Sequence, residues 1–306
     1  MLRKAARYNL DTMARVLIAG CGYLGQELGL RLVQEGHFVC GLRRDSRRLP
    51  PALCGFSADL NRSETLKNLP GPFDVVFYTA GSTNRSEVGY RLAYHQGLGN
   101  LIGVLQGQNP SVRRLFFTSS TAVYGQSDGE WVDEDSPAEA SHFRGRWLRA
   151  AEQLVLQGPI AGTVVRVGGI YGPGRHRLID SVRQGKACCF EGPSRYLNHV
   201  HRDDCSGALA HLMELDNAQS LYLLVDHEPA EQCQVLRWIA NRMEVPVPPR
   251  MPSESGLSVH GTKRCCNTRL VSSGYTFHYS TFREGYEALL WEQGVPSSNL
   301  GAPTMF

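Results

Sequence analysis

The chain has 306 residues, 42% hydrophobic and 20% charged, with a formal net charge of +3 at pH 7. A chain of that length and apolar content can bury one large core or two joined ones, which excludes disorder, collagen-like repeats and miniprotein scaffolds. The 28 Arg and 4 Lys are nearly balanced by 29 Asp and Glu and are spread along the length, so no basic face points to nucleic acid or an anionic membrane, and the expected partner is a small-molecule substrate.

Residues Met1–Thr12 are basic and precede a second methionine, Met13, beyond which an apolar run starts at once. They read as an extension ahead of the folded region or as a start assigned too early, with a mitochondrial presequence as the minor alternative. Short β-branched runs then alternate with helical patterns: Arg15–Ala19, Phe38–Leu42, Asp74–Thr79, Arg114–Thr118 and Thr163–Val167 as strands, Leu24–Gln34, Glu87–Leu105 and Ser141–Gln157 as helices. Such alternation produces parallel strands joined by crossover helices, so the expected fold class is α/β, a Rossmann-type doubly wound parallel sheet with a smaller C-terminal α/β lobe. After about residue 170 the regularity weakens, leaving a helix at Asp204–Glu214, a strand at Leu221–Val225 and helices near Glu231–Met243 and Phe282–Glu292. Val245–Ser255 and the terminal PSSNLGAPTMF read as loop or tail. The expected division is an extension over 1–12, a dinucleotide-binding domain over 13–170, a substrate lobe over 171–293 with segments returning to the first sheet, and a tail over 294–306.

Gly20-Cys21-Gly22-Tyr23-Leu24-Gly25 follows the first strand and opens the first helix, the strand-turn-helix context that a GxGxxG needs. Gly20 permits the tight turn, Gly22 lets the backbone approach a diphosphate, Gly25 brings helix and strand together, and the helix N-terminus offers N–H groups to the anion. A glycine-rich connection with no ligand is the alternative. The second strand ends in Gly41-Leu42-Arg43-Arg44, where an acid would contact the adenosine ribose of NAD. A guanidinium there can instead pair with a 2′-phosphate, so Arg43 and Arg44 favour NADP, with NAD left open and solvated surface arginines as the bland alternative.

The nine cysteines include the adjacent pairs Cys188/Cys189 and Cys265/Cys266 and form no CxxC, which argues against a disulfide framework or zinc ribbon and for reduced thiols in a cytoplasmic location. No run approaches the roughly 18 to 20 apolar residues of a membrane-crossing helix. Of ten histidines only His199 and His201 stand close together, with no metal-ligand spacing, so no metal site is expected.

Together these motifs resemble the extended short-chain dehydrogenase/reductase superfamily, which includes sugar-nucleotide epimerases and dehydratases, over about Ala14 to Trp291. Beyond the glycine turn, Asp59-Leu60 is similar to the family's adenine-contacting pair and Thr79-Ala80-Gly81 to its turn over the cofactor. Ser119-Ser120-Thr121-Ala122-Val123-Tyr124-Gly125 is similar to SSxxVYG, Val132–Pro137 to the substrate loop, and Val200-His201-Arg202-Asp203-Asp204 to IHVDD. The resemblance implies that Ser120 is the catalytic serine and that Ser119, Tyr171, Arg175 and His201 line the substrate, with a homodimer through two long helices. A Ser120 that merely bonds its own backbone is the alternative, and Asp204 is expected to cap the helix that follows it.

One family feature is absent. Its chemistry uses a Tyr and a Lys four residues on, yet the lysines are Lys4, Lys67, Lys186 and Lys263 and none follows a Tyr at that spacing. Counting back from Glu152 puts Arg144 on the tyrosine position and Leu148 on the lysine position, and a guanidinium cannot exchange protons at neutral pH. This resembles the atypical members that keep the cofactor turn and lose the dyad. Tyr124 and Tyr171 are candidate substitute proton donors, Arg144 a candidate anion or ribose contact. The segment Gly261–Leu270, similar to a C-terminal stretch in bacterial members of the group, presents Lys263 and Arg264 either to a substrate phosphate or to solvent. The sequence therefore supports two expectations: an NADP-dependent oxidoreductase or epimerase-like enzyme, and a non-catalytic NADP(H)-binding sensor or partner-binding module.

Overall fold

The computed structural model describes residues 13–107, 112–252 and 262–295. The expected N-terminal extension, the end of the Val245–Ser255 loop, Gly261 and residues 296–306 of the tail lie outside the described residues.

Five strands, β1 (Arg15–Ala19), β2 (Phe38–Arg43), β3 (Cys54–Ser57), β4 (Val75–Tyr78) and β5 (Arg114–Ser120), join Gly162–Val167 and Leu221–Leu224 in one seven-stranded sheet. Its order is Leu221–Leu224, Gly162–Val167, β5, β4, β1, β2, β3. The pairs β1/β2, β1/β4, β2/β3 and β4/β5 are parallel. The chain winds outward from β1 in one direction and then restarts at β4 in the other, the doubly wound order expected from the alternating pattern. The strand reading missed β3, because an edge strand faces solvent and carries no continuous apolar run. Three of the four residues of β3 are exposed. Leu221–Leu224 closes the opposite edge of the sheet.

Val16–Ala19 and Val76–Tyr78 are fully buried, as expected of parallel strands covered on both faces. Helix α1 (Tyr23–Gln34) buries Leu24, Leu28 and Leu32 at helical spacing and ends before Gly36, which takes φ +95°. The predicted helix Glu87–Leu105 is α2 (Glu87–Arg91), a π-helical turn over Leu92–Gln96, and α3 (Gly97–Leu105). Helix α4 (Phe143–Leu156) buries Leu148, Ala151, Glu152 and Val155.

The chain divides into two compact units. One takes the described residues through Ser119, His142–Val165 and Ser206–Leu221; the other takes Ser120–Ser141, Arg166–Cys205 and the described residues from Tyr222 onward. In the second unit Gly169–Tyr171 pairs in parallel with His199–His201. Around them packs a cluster that includes Tyr171, Ile179, Leu236, Ile239, Phe282 and Tyr286. Helix Phe282–Glu292 starts on a capping box in which Thr281 and Glu284 satisfy each other's backbone N–H groups, the T-x-x-E pattern written in the sequence. Two expectations are corrected here. Cys189 and Cys233 form a disulfide, so not every cysteine is a free thiol. The helix expected to start at Asp204 starts at Arg202, so Asp204 lies inside its first turn and cannot cap it.

Phe77 and Phe116 stack across β4 and β5 at 4.8 Å between centroids, both fully buried. Truncating Phe116 to Ala removes a ring from the middle of a close-packed core and should cost about 3–5 kcal/mol. Urea unfolding of Phe116→Ala should show that loss; a change below about 1 kcal/mol would refute the packing described.

Candidate functional site

In the first unit the turn after β1 is built on backbone contacts. Gly20 adopts φ +82°, and the N–H groups of Gly20 and Cys21 both donate to Leu42 O at 2.9 Å. A Cβ on Gly20 would lie 2.3 Å from Ala80 Cα, and one on Gly25 would lie 2.8 Å from Thr79 Oγ1 and 2.9 Å from Ile18 Cγ2. Thr79 Oγ1 donates to Gly20 O at 3.1 Å. Thr79 and Ala80, at the end of β4, therefore press on the turn from one side, and only glycine fits at positions 20 and 25. Gly22 differs: the nearest atom to a Cβ there is Gly20 O at 3.7 Å. A Cβ at that position would meet no packed side chain, and its absence leaves the backbone face open to a ligand. Gly22 also starts α1 without a side-chain cap, and the first turn, which begins Tyr23-Leu24, carries no acid. Uncapped N–H groups at a helix N-terminus and an open backbone face form a cradle that suits a diphosphate, so the residues present fit a dinucleotide cofactor.

Arg43 ends β2, and among the described residues neither it nor Arg44 pairs with a carboxylate, whereas Arg47 and Arg48 both pair with Asp45. Past β3, Asp59 Oδ1 accepts from Asn61 N at 3.0 Å. Asn100 Nδ2 donates to Leu60 O, and Gln96 Nε2 donates to Asn61 O at 3.0 Å. Gln96 thus anchors the loop after β3. Asn61 Oδ1 is buried without a partner, beside the pair expected at the adenine; sequence reasoning passed over Asn61 because its signal is a missing bond rather than a motif. Gly81 lies under Tyr94, whose hydroxyl would be 3.6 Å from a Cβ at that position.

At the end of β5 the two serines part. Ser119, expected at the substrate, instead donates to buried Glu152 Oε1 at 2.6 Å, and Arg149 donates to Oε2 at 2.6 Å. Arg144 is exposed at the start of α4, its guanidinium 5.8 Å from the Phe143 ring centroid. Leu148, on the lysine position, is buried. Ser120 belongs to the second unit, where its Oγ accepts from Ala122 N at 3.2 Å and caps the short turn Thr121–Val123. Its O–H remains available to donate.

In that second unit Tyr124 is held at both ends. Its hydroxyl donates to Asp133 O at 2.6 Å and accepts from Arg166 Nη1 at 2.8 Å. Arg166 also sits 4.8 Å over the ring. Burial pushes this phenol upward despite the guanidinium. Lys263 is 5% exposed rather than solvated, and its Nζ donates to Tyr124 O at 3.3 Å. Burial lowers its pKa.

Tyr171 stacks on Tyr286 at 4.5 Å and meets His199 and His201 edge-on. Its hydroxyl, His199 Nδ1 and Asp226 Oδ2 are all buried without partners, and burial pushes the phenol upward. Arg175 is exposed in the turn closed by Gly172 N–H and Arg175 O. His201 Nδ1 accepts from Asp203 N at 3.2 Å. Asp204 accepts from His278 N at 2.6 Å, Tyr279 N at 2.9 Å and the Tyr275 hydroxyl at 3.0 Å, so it fastens the loop before helix Phe282–Glu292.

A sequence model of the NAD-dependent epimerase/dehydratase family matches residues 16–217. The chain belongs to that family. It is similar to the 3-diazoavenalumate denitrifying reductase of a Streptomyces species, 30% identical over 260 residues, 78% of this chain and 84% of that one. A solved structure from Methylobacillus flagellatus, provisionally named an NAD-dependent epimerase/dehydratase, is 34% identical with a TM-score of 0.77, covering 92% of this chain and 100% of that one. The human epimerase family protein SDR39U1, solved with NADPH, shares the fold at TM-score 0.74 and 19% identity, covering 90% of this chain and 98% of that one. The superfamily and the Rossmann-type sheet expected from the sequence are borne out. Among the described residues no helix is long and apolar enough to cross a membrane, and no group of three or more His, Cys, Asp or Glu is placed to hold a metal ion.

Two predictions follow from this geometry. Gly20→Ala forces a Cβ into Ala80 at a left-handed φ and should lower the thermal midpoint and abolish dinucleotide binding, whereas Gly22→Ala should leave the midpoint nearly unchanged and weaken binding alone; calorimetry on both variants separates the cases. The second concerns pH. Burial pushes the Asp226 carboxyl well above the usual carboxylate range, so the folded chain keeps a proton the unfolded chain has released, and that stabilisation is full in acid and lost as pH rises through the folded value. His199 and His201 run the other way: burial pulls both down to about 4 from 6.5, so stability falls as pH drops between those values. Thermal midpoints across pH should decline on both sides of a maximum, and Asp226→Asn should flatten the alkaline decline and steepen the acid one, because Asp226 opposes the histidines throughout the range above the usual carboxylate value.

Proposed function

We propose that the protein is an NADP-preferring oxidoreductase or epimerase-like enzyme of the atypical extended type, acting on a sugar nucleotide or a small carbonyl or hydroxyl compound in a cytoplasmic setting. The observation that carries this reading is the open backbone face at Gly22 beside an uncapped helix N-terminus, with Arg43 unpaired at the end of β2. In this reading the first turn of α1 binds the diphosphate, Arg43 and Arg44 bind the 2′-phosphate, Asp59, Leu60 and Asn61 receive the adenine, and Thr79, Ala80 and Gly81 floor the site. When bound, the nicotinamide supplies the hydride acceptor or donor.

Ser120 donates its O–H to the substrate oxygen, because Ala122 N already occupies an acceptor site on Oγ and orients the group. Proton exchange falls to neither Tyr124 nor Tyr171, whose phenols burial holds protonated. Lys263 is a better candidate: it belongs to the same unit as Ser120, bonds the residue that ends the Ser120 turn, and burial eases the loss of its proton. Arg175 and His201 remain candidates for holding the substrate. The module reading is favoured by one observation, the buried Leu148 on the lysine position.

Calorimetric titration should show tighter binding of NADPH than of NADH. Arg43→Ala should weaken NADPH alone by about ten- to a hundredfold, the value of a charge-assisted contact; equal affinities in the wild type would remove the NADP preference. A hydride-transfer screen over sugar nucleotides and simple carbonyls should give turnover that falls by about a hundredfold or more in Ser120→Ala. Binding of NADPH with no Ser120-dependent turnover would establish the module instead.

A further inference from the structure

Cys40 of β2 and Cys54 of β3 are register partners in adjacent parallel strands. Neighbouring strands lie about 4.7–4.9 Å apart, which places the two Cα atoms within the span a disulfide bridges. Register partners also project from the same face of a sheet, and Cys54 adds to the upward shift that burial gives the Cys40 thiol. They differ in access: Cys40 is buried and Cys54 is exposed. The segment between them, Gly41–Leu53, holds Arg43, Arg44, Arg47 and Arg48. A bond between the two cysteines would therefore tie together the base of the loop that bears the arginines.

We propose that Cys40 and Cys54 are a reversible thiol–disulfide site that reacts with low-molecular-weight disulfides of the glutathione class. The Cys54 thiolate attacks one sulfur of the oxidised partner, forming a mixed disulfide and expelling one thiolate. Cys40 then gives up its proton to water and attacks Cys54 Sγ, expelling the second thiolate, which is protonated. Two protein thiols and one external disulfide become one protein disulfide and two external thiols, with no further oxidant. The order follows from access, because only Cys54 is exposed to an external disulfide. The second step is slow, because burial pushes the Cys40 thiol up to about 12 and exchange proceeds through the thiolate. Cys21 is the competing partner: it is buried, and its Sγ lies 3.0 Å from where a Cβ on Gly41 would stand. Gly41 and Cys40 point to opposite faces of β2, so Cys21 approaches the strand from the side away from Cys54. The site is independent of whether a dinucleotide binds; its effect on the arginine loop rests on the proposed function.

Incubating the full chain with oxidised glutathione and mapping it by non-reducing tryptic mass spectrometry tests this directly. The expected course is a glutathionyl adduct on Cys54, followed by its loss together with two hydrogens as the peptides Leu32–Arg43 and Leu49–Arg62 become linked. Dithiothreitol should return the starting mass. Cys40→Ser should stop at the adduct, and Cys54→Ser should form neither product. An adduct on Cys54 that persists in the wild type, or a cross-link of Cys40 to Cys21, would overturn the proposal, and because the wild-type map decides it, the outcome does not depend on either variant folding.

Discussion

The contact between Gly20 and Ala80 sets the terms for the first unit. A backbone turn with a positive φ packs against the end of β4 so closely that no side chain can enter. Because the N–H groups of Gly20 and Cys21 are both spent on Leu42 O, the turn is also tied to the end of β2. Three strand ends are thereby locked around one glycine, and the helix that follows starts at a position dictated by β1, β2 and β4 together. Its N-terminus is held in place by packing rather than by a side-chain cap from Gly22.

The second unit solves a different problem, that of keeping ionisable groups inside an apolar cluster. Tyr171, His199, His201 and Asp226 lie among aromatic rings, and burial moves each toward its neutral form. A buried charge would cost more than the lost titration. Other buried polar groups find partners: Arg166 bonds the Tyr124 hydroxyl, and Glu134, which burial also pushes upward, accepts from Leu223 N at 2.7 Å with Arg269 nearby. Three of the polar atoms left without partners, Tyr171 OH, His199 Nδ1 and Asp226 Oδ2, belong to this neutral group, where an unmet hydrogen bond is less expensive than on a charged one.

The central sheet was legible because its inner strands are continuous apolar runs and its glycine turn has a spacing that few other structures require. The edge strand β3 was not, since CGFS has neither a run nor an alternation. Helix Phe282–Glu292 lies where the sequence reading put it, while the start of Arg202–Glu214 was misplaced by two residues because Asp204 looks like a cap and is instead spent on the loop before Phe282. Lys263 shows what sequence alone withholds: in a segment with neighbouring Arg264 it reads as a solvated basic loop, and only tertiary burial distinguishes the two side chains. The pairing of Cys40 with Cys54 depends on strand register, which no local pattern encodes for a short edge strand.

Helix α4 contains neither a Tyr nor a Lys. With Leu148 on the lysine position, the buried face of α4 is apolar through Leu148, Ala151 and Val155, and its one buried charge is Glu152, held by Ser119 and Arg149. That carboxylate steadies the end of β5 but lies a turn beyond where the Tyr and Lys would act. In the proposed function, dinucleotide binding does not need a Tyr and a Lys on α4, because it draws on backbone N–H groups, glycine geometry and arginines of the first unit. Proton exchange does need a replacement, and the ionisable groups beside Ser120 in the chain fold belong to the second unit. Retention of the cofactor cradle is therefore silent about turnover, and the identity of the proton-exchanging group decides between enzyme and sensor.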